Sequence, residues 1–85
     1  MNYLHFNVGQ QSAGAIVQTV LRGSESDVFL LDSSNFSKFK RGDSFKYTGG
    51  HYKQSPVNLR IPHTGRWTAV VVPGVRVEAT VEVLG

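Results

Sequence analysis

Residues 75–84 read VRVEATVEVL. Val75, Val77, Ala79, Val81 and Val83 fall on one parity, and Arg76, Glu78, Thr80 and Glu82 on the other. Side chains of a strand alternate between its two faces, so this pattern is a strand with one face buried and one in water. Valine and threonine suit it through their branched β-carbons. A helix of the same sequence would spread its valines around the whole cylinder.

Working outward, the same period recurs. YLHFNV (3–8) sets Leu4, Phe6 and Val8 on one side. AIVQTVLR (15–22) and DVFLLD (27–32) are two further strands separated by a GSES turn, and DSFKYTGG, VNLRIP and RWTAVVV complete the set. About eight short strands punctuated by Gly, Pro, Ser and Asn predict an all-β domain, a single small antiparallel β-sandwich over residues 1–85. One segment breaks the alternation. In SSNFSKFKRG (33–42), Phe36 and Phe39 are three apart and Ser33 or Ser34 can cap, which predicts one short helical turn near 33–41. Its phenylalanines are expected to plug an open end of the β core.

The bulk properties set limits. Eighty-five residues allow one domain, and 40% hydrophobic with 18% charged residues is a globular composition. With no cysteine, neither a disulfide nor a thiolate zinc site is available. The N-terminus, MNYLHFNVGQ, lacks a basic segment followed by an apolar one, and no apolar run approaches the roughly 18–20 residues that span a bilayer. A cytoplasmic chain without membrane association is expected. Nine Lys/Arg against six Asp/Glu give +3. That suits weak attraction to phosphates or acidic proteins and falls short of the dense basic stripe of a nucleic-acid binder.

IPHTGRW (61–67) holds a proline, a histidine, an arginine and the single tryptophan. His63-Thr64-Gly65 suits a three-residue hairpin loop with Gly65 left-handed. That hairpin sets Ile61 opposite Trp67, Leu59 opposite Ala69 and Val57 opposite Val71, all apolar. A turn at Ser55-Pro56 then adds a third strand, with Tyr52 opposite Leu59 and His51 opposite Arg60. The outer face of this unit carries His51, Lys53, Asn58, Arg60, Arg66 and Thr68, with no carboxylate among them. His51, Lys53, Arg60, His63 and Arg66 are therefore the candidate residues for an anionic ligand or surface. Against that stands the alternative that Glu78 and Glu82 lie alongside and neutralise the face. Asp32 and Asn35 are further loop candidates.

Catalytic and metal motifs are absent. No G-x-S-x-G elbow or phosphate-binding glycine loop occurs, and His5, His51 and His63 lack ligand spacing. Asp27, Asp32, Asp43 and Glu25 carry oxygens suited to calcium, but Asp at strand ends more commonly bonds its own backbone. The expectation is no enzyme activity, cofactor or metal. Tyr3, Tyr47 and Tyr52 are the aromatic candidates for a carbohydrate platform.

LDSSNF (31–36), GGHYKQSPV (49–57) and PHTGRW (62–67), in that order, resemble a family of small bacterial domains known only as a domain of unknown function. The resemblance runs from YLHF to TVEVL. It implies a CUB-like β-sandwich of the jelly-roll type. Larger members carry the domain in front of a TIR (Toll/interleukin-1 receptor) domain, which implies recognition or scaffolding in bacterial signalling or defence. This chain differs in ending at Gly85, and no activity borrowed from such a module is expected. Three functions follow as expectations: a non-catalytic binding module for a protein or an anionic small molecule, a homodimer joined through a sheet edge or the outward Val70–Val72 run, or a carbohydrate-binding module.

Overall fold

The alternating segments form strands, and the chain deals them between two sheets. A computed structural model describes residues 2–84. Its elements are β1 (Leu4–Gln11), β2 (Ile16–Gly23), β3 (Ser26–Asp32), α1 (Ser33–Arg41), β4 (Thr48–Tyr52), β5 (Val57–Arg60), β6 (Gly65–Pro73) and β7 (Val77–Leu84). One sheet has four strands in the order β1-β6-β3-β4, the other three in the order β5-β2-β7. All pairings are antiparallel. The domain is an all-β sandwich of seven strands and one helix.

The inward residues meet between the sheets. Val28, Leu30, Trp67, Ala69 and Val71 from the four-stranded sheet pack on Val17, Val57, Leu59 and Ile61. Phe6, Tyr52, Val81 and Val83 close the flanks. Trp67 is only 4% exposed, and burying a side chain of that size contributes about 2–3 kcal/mol.

The hairpin expected at 61–67 does not form. β5 pairs with β2, Leu59 opposite Val17, and the pairing continues as Ile61 donates to the Ala15 carbonyl at 2.8 Å. β6 pairs with β1 and β3. The intervening loop therefore crosses from one sheet to the other. Gly65 has no positive φ; it opens β6 opposite Gln11. The expected third strand fails likewise, because β4 pairs with β3. The physical reason is that parity fixes the side of a strand that faces the core, not its hydrogen-bonded neighbour. Ile61, Leu59 and Val57 are buried with Trp67, Ala69 and Val71 as expected, but they meet across the sandwich.

The helix is also more than one turn. Asp32, rather than Ser33 or Ser34, is its N-cap and accepts the Asn35 N–H at 2.9 Å. Gly42 ends it at φ 81°, donating to the Phe39 carbonyl, while Asp43 N–H reaches the Lys38 carbonyl. Lys38, Lys40 and Arg41 lie in the last turn, where cations suit the helix dipole. The phenylalanines do not plug an end. They cover the outer face of the four-stranded sheet, where buried Phe39 joins Leu31 and Val70, flanked by Tyr3, Phe29, Phe36, Phe45 and Val72. The Val70–Val72 run expected as an exposed patch thus lies under α1. Residues 43–47 are not strand, and Phe45 and Tyr47 pack on Phe29 from a connecting segment. At Gly49, φ is 132° and an added β-carbon would overlap the Val28 carbonyl oxygen, so β4 can approach β3 there only through a glycine.

Candidate functional site

β3 runs directly into α1, so Asp32 is at once a strand end and a helix cap. Its Oδ1 accepts both the Asn35 backbone N–H and the Asn35 side-chain amide, each at 2.9 Å. The Asn35 Oδ1 in turn accepts the Lys46 backbone N–H at 2.8 Å, which ties the segment after α1 to the helix start. From the other side comes the β5–β6 loop. The Trp67 indole N–H donates to the His63 carbonyl at 3.0 Å, and the two rings lie 4.9 Å apart. This folds the loop over the indole and brings His63 Nε2 to 3.5 Å from Asp32 Oδ2. His63 Nδ1 lies 3.4 Å from the Thr64 carbonyl.

An open pocket of about 250 Å³ lies between these segments. Asp32 and Asn35 at the helix start, Lys46, Tyr47 and Thr48 after the helix, and Pro62, His63 and Trp67 from the β5–β6 loop and β6 line it. Tyr47 is 52% exposed and rests on Phe29, with ring centroids 4.5 Å apart. The carboxylate of Asp32 is largely used: one oxygen holds Asn35 and the other faces the imidazole. The Lys46 ammonium and Tyr47 hydroxyl have no protein partner among the described interactions. A neighbouring depression joins Asn35 and Lys46 to Lys38. The rim is thus rich in donors around an apolar floor.

The structure brings Asp32, Asn35 and His63 together and separates the rest of the expected set. Arg60 is exposed on the outer face of the three-stranded sheet, opposite Ile16. Arg66 is exposed on the four-stranded sheet, opposite Gln10 and beside Ser33 and Phe36. Lys53 lies in the exposed connection after β4. There is no single basic face. Nor is His51 free of carboxylates: Asp27 sits opposite it in the β3–β4 ladder, with Nδ1 at 2.8 Å from Asp27 Oδ1 and Nε2 at 3.4 Å from Glu25 Oε1. The hydrogen bond to Asp27 and, after it, the Glu25 charge and hydrogen bond raise the His51 pKa above 6.5. Glu82 faces Gln18 and Glu78 faces Arg22, so neither neutralises Arg60 or Arg66.

Lys46 carried no signal in the sequence, because only the folded path of residues 43–47 sets it against the β5–β6 loop. The four carboxylates considered for calcium are dispersed: Glu25 and Asp27 at His51, Asp32 at the helix cap and Asp43 with Arg41 at 3.0 Å. No cluster of three or more metal-ligating side chains occurs among the described residues. No helix among them is long and apolar enough to cross a membrane.

Fold and pocket together define a small two-sheet β-sandwich domain with one face roofed by a helix and a pocket with a polar rim at the helix entrance. The chain belongs to the family described as Domain of unknown function (DUF1883), which matches residues 1–83. No match was found among curated proteins or solved structures. Two of the three segments that carry the resemblance, LDSSNF and PHTGRW, supply Asp32, Asn35, Pro62, His63 and Trp67 to the pocket, and the third begins one residue after Thr48.

Proposed function

We propose that the domain is a non-catalytic binding module that takes a small anionic ligand in the pocket between α1 and the β5–β6 loop. The observation that carries this reading is the convergence of three separate segments on one pocket whose rim offers an ammonium without an ion partner among the described residues. Lys46, with Lys38 close by, supplies positive charge. Tyr47 supplies a hydroxyl, the His63 ring forms part of the wall, and Trp67 supplies the apolar floor. Asp32 orients His63 rather than meeting the ligand. A pocket of this kind, mostly apolar with a few placed polar groups, is the usual form of a small-molecule site.

His63 turns its nitrogens to Asp32 and the Thr64 carbonyl, and binding without turnover suits that arrangement. In its setting the domain serves recognition or scaffolding in bacterial signalling or defence within the cytoplasm, and its sandwich is of the CUB-like, jelly-roll type. The resemblance to domains that precede a TIR effector supports that role.

Nuclear magnetic resonance shift mapping tests the site. Citrate, inorganic phosphate and a nucleoside monophosphate are titrated to about 10 mM, where even millimolar binding registers, with a neutral hexose as control. At least one anion is expected to move Asp32, Asn35, Lys46, Tyr47 and His63 together. Shifts centred on Arg60 or Arg66, a response to the hexose alone, or no shifts at all would overturn the reading.

A further inference from the structure

The two sheets present four free strand edges, and three are guarded. β1 is broken by a bulge between Asn7 and Gly9. β4 is five residues long and contains Gly49 and Gly50. β5 is four residues long between Pro56 and Pro62. Short strands, bulges, glycine and proline are the devices that keep an edge from pairing with another chain. β7 has none of them. It is eight residues of uninterrupted alternation, VEATVEVL, without lysine, glycine or proline, along the edge of the three-stranded sheet.

The direction of its free groups can be read from the ladder. Ser24 N–H donates to the Arg76 carbonyl at 3.0 Å, and β2 and β7 pair antiparallel onward from Gly23 opposite Val77. In an antiparallel ladder the groups that face the neighbour alternate along the strand. Residues 76, 78, 80 and 82 therefore turn their backbone groups to β2. Val77, Ala79, Val81 and Val83 turn theirs to the open edge.

We infer that this edge pairs with the same edge of a second copy, antiparallel, about a two-fold axis at Ala79. On that axis Val77 stands opposite Val81 of the second copy and Ala79 opposite its own counterpart, while Val75 lies in the bend before the strand with its N–H on Ser24 Oγ at 3.1 Å. On the outer face Arg76 stands opposite Glu82 of the second copy, twice by symmetry, and Glu78 opposite Thr80. Val77, Ala79 and Val81 meet only one another across the axis, and the paired charges oppose in sign. Shifting the axis to Thr80 sets Glu78 against Glu82, and shifting it to Glu78 sets that glutamate against itself. An axis at Val77 leaves residues 79–84 unpaired, because the chain bends at Gly74 and Val75. The pairing makes one six-stranded sheet from two three-stranded ones and uses none of the residues that line the pocket.

Among the described residues neither Arg76 nor Glu82 has an ion partner, so their charges can be exchanged without breaking a described pair. Sedimentation of the full chain should show a dimer. Arg76→Glu and Glu82→Arg should each weaken it by about tenfold or more, and the double exchange should restore it to within about threefold. Thermal melts confirm that each variant is folded. In the parent chain, the Ala79 and Val81 amides should exchange more slowly as concentration rises. A monomer up to about 0.5 mM, well above the range of a specific interface, overturns the proposal and leaves an extended segment of another protein as the occupant of this edge. A dimer indifferent to the charge exchange overturns it equally.

Discussion

Asp32 carries two loads with one carboxylate. One oxygen caps α1 through Asn35 and the other holds His63 in place. Asp32→Ala should lower stability by about 1 kcal/mol, a fall of roughly 4–8 °C in Tm, and should free the His63 ring. Asp32→Asn should retain most of the cap. His51 makes a separate, pH-dependent contribution. Its pKa is raised above 6.5 by Asp27 first and Glu25 second, so the folded state binds the proton more tightly than the unfolded chain does. The resulting support is complete below about pH 6.5 and is lost as pH rises through the folded-state midpoint. A proton-resonance titration should place the His51 midpoint above 6.5, and Asp27→Asn should bring it down. At this scale the sequence was a partial guide. Asp32, Asn35 and His63 could be marked as polar residues in loops between apolar strands, but nothing local in KYT indicated that Lys46 would face them.

At the scale of elements, parity was legible and partnership was not. Residues 77–84, 57–61 and 67–71 each declare which side faces the core, and each of those sides does; Val75, expected on the same face, lies instead in the exposed bend before β7. The pairing of β5 with β2 depends on where the 61–64 loop crosses, and a loop that crosses between sheets satisfies the same parity as a hairpin within one. The helix shows a second limit. Phe36 and Phe39 announce an apolar helical stripe, yet the surface it covers is made by Leu31 and Val70 of strands whose outer faces cannot be identified before the sheet order is known. Phe39 is 7% exposed and packs edge-on to both Tyr3 and Phe45 at about 5 Å. Phe39→Ala should cost about 3–4 kcal/mol, measured by urea unfolding. It should also uncover the Val70 face, seen as new binding of a hydrophobic dye. Unchanged stability would mean that α1 is not a structural roof.

Across the whole molecule, every connection except β3–α1–β4 changes sheets, so neighbours in sequence are opposed across the core. That pattern draws the ends of distant segments into one rim, which is how residues 32–35, 46–48 and 62–67 come to share a pocket. It also disperses the cations that a compact three-strand unit would have gathered, leaving Lys46 as the one beside His63. The central claim is that this pocket binds an anion, and Trp67, the single tryptophan and part of its floor, reports on it directly. Trp67 emission is followed while the anion that gives the largest resonance shifts is added to the parent chain and to Lys46→Glu. A saturable change that weakens at least about tenfold in Lys46→Glu, as loss and reversal of a charge beside an anion requires, is the predicted result. Equal responses from the two proteins, both folded, would contradict the claim.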